Sequence, residues 1–86
     1  MKVRLVVAGR NYDLADQLPV EWELAEGATI DDLLQILAKR LPEDRSLSAS
    51  CLLAVSANHI GTVASHPTHP LRHGDEVTII APVAGG

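Results

Sequence analysis

The sequence predicts an α+β domain in which one main helix packs on one face of a mixed sheet of four to five strands. Three observations predict it. Segments with two-residue alternation flank a single segment of helical periodicity, in the order β-β-α-β-β-β. The helical segment carries one apolar stripe, and a stripe and a sheet face bury each other. The chain has 86 residues, enough for one core and too few for two.

Each element has its own warrant. Residues 2–8 place Val3, Leu5 and Val7 on one face, with Lys2 and Arg4 on the other. Gly9-Arg10-Asn11 interrupts this strand, and 9–19 reads as a loop ending at Pro19. Val20-Glu21-Trp22-Glu23-Leu24 alternates apolar and acidic residues one for one, a strand whose Trp22 is expected to pack under the helix. Thr29 is a candidate helix N-cap, followed by Asp31 and Asp32 where the helix dipole favours negative charge. Ile30, Leu33, Leu34, Leu37, Ala38 and Leu41 then form the stripe, with Ile36 outside it. Lys39 and Arg40 suit the C-terminal end, and Pro42 stops the helix. After a polar loop over 43–50, Cys51-Leu52-Leu53-Ala54-Val55 reads as a strand buried on both faces. A turn near Ala57-Asn58 leads to a weak strand over 59–63, a loop spans 64–75, and 76–81 is the last strand.

Composition narrows the function. Hydrophobic residues make up 47% and charged residues 21%, the balance of a folded domain. The core must be aliphatic, since Tyr12 and Trp22 are the only aromatic residues. A net charge of −4 and the lack of an aromatic platform argue against nucleic acid as a partner. The apolar run after Met1 is too short for a signal-peptide core or a bilayer span, and Cys51 has no second cysteine to pair with. The expectation is a cytoplasmic protein with no membrane partner.

The chain ends Ala81-Pro82-Val83-Ala84-Gly85-Gly86. A Gly-Gly ending arises by chance in about one chain in 200. Without Cβ atoms the last two residues make a narrow tail with an unguarded carboxylate, able to thread a tight channel. The expected division is a domain over 1–81 and a flexible tail over 82–86, launched from the last strand.

The run Leu71-Arg72-His73-Gly74-Asp75-Glu76-Val77-Thr78-Ile79-Ile80-Ala81-Pro82-Val83-Ala84-Gly85-Gly86 resembles the ubiquitin-like β-grasp sulfur carriers, the MoaD/ThiS family. Within that family it is most similar to the small subunits of molybdopterin synthase. The shared pattern is an apolar residue, a Gly-Asp-Glu-Val turn, an apolar strand and then Pro-Pro-Val-x-Gly-Gly. Glu26-Gly27-Ala28-Thr29-Ile30-Asp31-Asp32-Leu33-Leu34 looks like the family's entry into its helix, and Leu53-Ala54-Val55 like its middle strand. The chain departs from the pattern twice. Ala81 replaces the first of two prolines, and Ser56-Ala57 separate Val55 from Asn58 where the family commonly sets Asn directly after Val.

The resemblance implies a chemistry. Gly86 would be adenylated by a ubiquitin-activating-like enzyme using ATP, converted to a thiocarboxylate, and would donate sulfur. The implied acceptor is a pyranopterin precursor held by the large catalytic subunit of molybdopterin synthase, so the chain binds no cofactor and is not catalytic alone. Gly85 would keep the passage narrow, Val83 and Ala84 would meet the channel walls, and Pro82 would direct the exit. Leu71, Ile79, Ile80 and Val83 are candidates for an apolar partner surface at the tail's root. Alternatives are a carrier for thiamine thiazole or tRNA thiolation, a ubiquitin-like modifier, and a non-catalytic interaction domain.

Other chemistry-bearing residues read more plainly. His66, His69 and His73 fall at i, i+3 and i+7, but Pro67 and Pro70 forbid a helix that would align them, and no metal site is expected. Cys51 in an apolar run reads as a small buried hydrophobe rather than a sulfur relay. Neither a catalytic triad order nor a phosphate-binding glycine loop is present.

Overall fold

The structure is a computed structural model that describes residues 1–8, 18–41 and 49–81. The tail 82–86 and most of the loops expected at 9–19 and 43–50 lie outside the described residues. Within them, strands β1 (Lys2–Ala8), β2 (Glu21–Glu23), β3 (Leu52–Val55), β4 (Asn58–Thr62) and β5 (Glu76–Ile80) form one sheet in the order β2-β1-β5-β3-β4. β1 and β5 pair in parallel at its centre, from Arg4↔Glu76 to Ala8↔Ile80. The remaining pairings are antiparallel. Helix α1 (Ile30–Arg40) shares one apolar core with the strands, as the sequence predicts for an α+β domain.

Local chemistry sets the ends of α1. Thr29 closes a capping box: its amide donates to Asp32 Oδ2 at 2.9 Å, and its Oγ1 accepts from the Asp32 amide at 3.4 Å. A cap of this kind stabilises a helix by about 1 kcal/mol. At the other end Leu41 is extended, at φ −79° and ψ 147°, as a residue before proline prefers to be. Ile30, Leu33 and Leu37 are fully buried, while Leu34 and Ile36 pack partly against the core. Ala38, expected in the stripe, is exposed. At 3.6 residues per turn it lies about 110° from the centre of the buried face, beyond the sheet's reach.

The strands bury one parity. Val3, Leu5, Trp22, Leu53, Val55, Val77 and Ile79 lie in the helix-covered core. Trp22 packs under the helix as expected, with the Arg40 guanidinium 5.4 Å from its ring centre. Its indole Nε1 donates to the Pro19 carbonyl at 2.6 Å. β3 corrects an expectation: it is buried on one face only, with Leu52 38% exposed. The helix covers a single side of the sheet, so an uninterrupted apolar run still leaves alternate residues uncovered.

The Gly-Asp-Glu-Val segment organises the start of β5. Gly74 takes φ +89° and its amide donates to the Lys2 carbonyl at 2.7 Å. Asp75 Oδ2 accepts from the Arg72 amide and Oδ1 from the Ser56 hydroxyl, both at 2.8 Å. Ser56 and Ala57 form the two-residue turn between β3 and β4, with φ of 47° and 71°. Left-handed backbone is the form a two-residue hairpin turn demands, and Asn or Gly fits it better than Ser or Ala. The departure from the family's Asn therefore falls where Asn would be favoured. The Ser56 hydroxyl offsets it by tying the turn to Asp75.

Two substitutions test these constraints. Asp75→Ala removes the acceptor for an amide and a hydroxyl and should lower stability by about 1–3 kcal/mol in urea unfolding. Gly61→Ala should cost at least as much, because a Cβ there would collide with the Ser65 carbonyl oxygen, and φ is +140°.

Candidate functional site

β5 carries the chain to the tail from the middle of the sheet. Its last residue, Ile80, pairs with Ala8 on one side and Leu52 on the other. One further rung follows: the Ala81 amide donates to the Ala8 carbonyl at 3.0 Å, and Ala81 is buried. A proline has no amide hydrogen to donate, so this rung exists because Ala81 stands where the family pattern has proline. Pro82 to Gly86 lie outside the described residues, so their expected roles are proposals taken up below.

Ala8, Ile80 and Leu52 form an apolar row across β1, β5 and β3, on the sheet face away from the helix. Ile80 and Leu52 are each 38% exposed. Val6, opposite Thr78 in the next outward-facing pair, extends the row. The far end of the same face is charged, with Lys2, Arg4 and Glu76. Polarity therefore changes along the strands, and the apolar end is the one from which the chain departs. Exposed aliphatic side chains grouped at one place suit burial against a partner.

Of the three described residues expected on this surface, only Ile80 is there. Ile79 is fully buried because it shares the parity of Val77 and faces the helix. Leu71 is 3% exposed, because its amide donates to the Ala28 carbonyl and the Ile30 amide donates to the His69 carbonyl, which ties 69–71 along 28–30. Sequence reasoning missed Val6, Ala8 and Leu52. Thr78 was the available signal: a lone hydroxyl between Val77 and Ile79 marks the outward parity, and Ile80 shares it.

The histidines go separate ways. His66 Nδ1 and Nε2 lie 2.7 Å from the Thr62 carbonyl and from Asp31 Oδ1, respectively. His73 Nδ1 accepts the Lys2 amide at 3.0 Å. The His69 carbonyl pairs with the Ile30 amide. Among the described residues no three metal-ligating side chains converge. Cys51 is fully buried at the entry to β3. No helix among the described residues is long and apolar enough to cross a membrane.

Residues 5–86 match the ThiS family. The chain is 28% identical over 86 residues, covering all of both proteins, to the molybdopterin synthase sulfur carrier subunit of Chlamydomonas reinhardtii. Among solved structures it resembles SAMP1 from Haloferax volcanii, with a TM-score of 0.71 and 17% identity over both full chains. It also resembles, over both full chains at a TM-score of 0.59 and 17% identity, a chain in the complex of subunits 1 and 2 of molybdopterin-converting factor from Helicobacter pylori 26695. These two likenesses show the fold, and the described residues form a mixed sheet of five strands with one main helix, as expected of the β-grasp class.

Adjacent substitutions in β5 should separate surface from core. Ile80→Asp should change stability by less than about 1 kcal/mol in urea unfolding. Ile79→Asp, which buries an unpaired charge beneath the helix, should cost more than about 4 kcal/mol and leave little folded protein.

Proposed function

The chain belongs to the ThiS family, and from that premise we propose that it is a sulfur carrier acting through the carboxylate of Gly86. One observation carries the reading. A central strand, paired on both sides as far as Ile80 and held to β1 at Ala81, leads into Pro82-Val83-Ala84-Gly85-Gly86 beside an exposed apolar row.

A carboxylate resists nucleophilic attack because the attack adds charge to an anion. In the proposed cycle an ATP-dependent activating enzyme lets a Gly86 oxygen attack the α-phosphorus of ATP, and pyrophosphate leaves. Hydrosulfide then attacks the acyl carbon of the mixed anhydride, AMP leaves with that oxygen, and the resulting thioacid gives its proton to water. The product is a terminal thiocarboxylate, an ionised sulfur nucleophile tethered to a folded domain. Docking the domain beside an acceptor raises the local concentration of that sulfur without any new catalytic group.

The acceptor we propose is a pyranopterin precursor bound to the large subunit of molybdopterin synthase. The full-length relative named as that synthase's sulfur carrier subunit supports this choice, as does the fold shared with a molybdopterin-converting factor complex. Pro82 would aim the tail, Val83 and Ala84 would contact the channel, and Gly85 would keep it narrow. The row of Val6, Ala8, Leu52 and Ile80 would meet the large subunit, and by the same logic the activating enzyme. We place this work in the cytoplasm, where ATP for the activating enzyme is at hand. Carriage to thiamine thiazole or a tRNA base would use the same Gly86 chemistry, with a different acceptor.

Incubation with a cognate activating enzyme, ATP and a sulfur donor should raise the intact mass by one oxygen-to-sulfur replacement, localised to Gly86. Deleting Gly86 should abolish that gain and leave the unfolding curve unchanged. An unaltered mass in the presence of a demonstrably active enzyme would overturn the reading. Ile80→Asp should weaken binding to the large subunit by roughly tenfold or more in calorimetry, because it sets a charge in a desolvated apolar contact.

A further inference from the structure

His66 sits between two groups that can only accept hydrogen bonds. Its Nδ1 faces the Thr62 carbonyl oxygen and its Nε2 faces Asp31 Oδ1, each at 2.7 Å. A neutral imidazole carries one N–H, so it satisfies one contact and turns a lone pair toward an oxygen in the other. The imidazolium carries two and satisfies both. His73 makes the contrast, since its Nδ1 accepts the Lys2 amide and so needs a lone pair there.

The ring joins parts of the fold distant in sequence. Asp31 lies in the first turn of α1, and Thr62 ends β4. The intervening loop is tight: the Thr62 amide donates to the Ser65 carbonyl at 2.9 Å and the Ser65 amide to the Thr62 carbonyl at 3.2 Å. Gly61 admits the close passage of Ser65 and His66. The His66 side chain is 6% exposed, whereas the Asp31 carboxylate is half exposed, so the ring is sheltered and its charged partner is open to water. From α1 the charged group acting on the ring is Asp31; from β4 and its following loop it meets the uncharged carbonyls of Thr62 and Val63. The Val63 amide bonds the Cys51 carbonyl at 2.9 Å, beside Leu52, so the loop borders the apolar row.

We propose that His66 is a proton-operated latch, in which the imidazolium holds the loop after β4 onto the first turn of α1 through both bonds and loss of its proton gives up one of them and loosens that hold. This role is independent of the sulfur-carrier reading. The Thr62 carbonyl first, and then the Asp31 carboxylate, raise the His66 pKa above its ordinary 6.5, against the opposing effect of burial. A histidine raised in this way contributes stability in full below the unfolded value of about 6.5, and the contribution fades as pH rises through the folded pKa.

A side-chain nitrogen NMR titration of the full chain tests the latch without any variant. His66 should titrate with a midpoint above 6.5, and the Thr62 and Ser65 amide shifts should follow that midpoint. Asp31→Asn should lower the midpoint, and the stability advantage of the natural chain over His66→Gln should shrink as pH rises through it. A midpoint at or below 6.5, or one unmoved by Asp31→Asn, would overturn the proposal. Amide shifts that stay flat while the ring titrates would overturn it too, because the proton would then move nothing.

Discussion

The parallel pairing of β1 with β5 is the constraint on which the rest of the structure depends. The first strand and the last meet at the middle of the sheet, in register from Arg4↔Glu76 to Ala8↔Ile80. The described elements between them in sequence are set to the outside: β2 flanks β1, β3 and β4 flank β5, and α1 covers one face. Closing so long a loop carries an entropic cost that grows only slowly with its length. Burial of Val3, Leu5, Val77 and Ile79, with β5 paired along both edges, offsets it.

That arrangement explains why the candidate site lies where it does. A tail leaving an edge strand would start from a backbone bonded on one side. Here the last strand is held on both sides, and Ala81 adds a rung to Ala8 before the chain departs. Helix α1 covers one face, so among the described residues the other stays open and its composition is free to serve a partner. Charge gathers on it around Arg4 and Glu76, and aliphatic side chains gather around Ile80 and Leu52. The exposed apolar row and Ala81, the residue after which the proposed reacting tail begins, thereby share one end of the sheet.

The sequence made the elements legible wherever one periodicity was unbroken. The stripe of α1, its Thr29 cap and the alternation in β1 and β2 all arise from local chemistry, and the structure contains them. Faces were harder to read. In Val77-Thr78-Ile79-Ile80 the two isoleucines are chemically identical, yet one lies under the helix and the other in the open, because parity is assigned by the partner strand. Leu52 was equally opaque: an aliphatic residue on an open sheet face looks the same in sequence as one in a core. His66 and Asp31 are 35 positions apart, and no local spacing announces their contact. The histidine spacing pointed instead to His69 and His73, which the chain carries elsewhere.

The Gly-Asp-Glu-Val segment, on which much of the family resemblance rests, lies at the end of β5 remote from the tail. Its work is to fix where the strand begins. Gly74 docks on Lys2, and Asp75 binds the Arg72 amide and the Ser56 turn, so Glu76 enters the sheet opposite Arg4. From that origin, five residues at about 3.3 Å each carry the backbone roughly 17 Å to the apolar end. A strand has two faces and a fixed rise, so moving its start by one residue would exchange Ile79 for Ile80 beneath the helix and remove Ile80 from the apolar row. The motif thus governs the tail from a distance, by setting both the length of the path to Ala81 and the face on which Ile80 emerges.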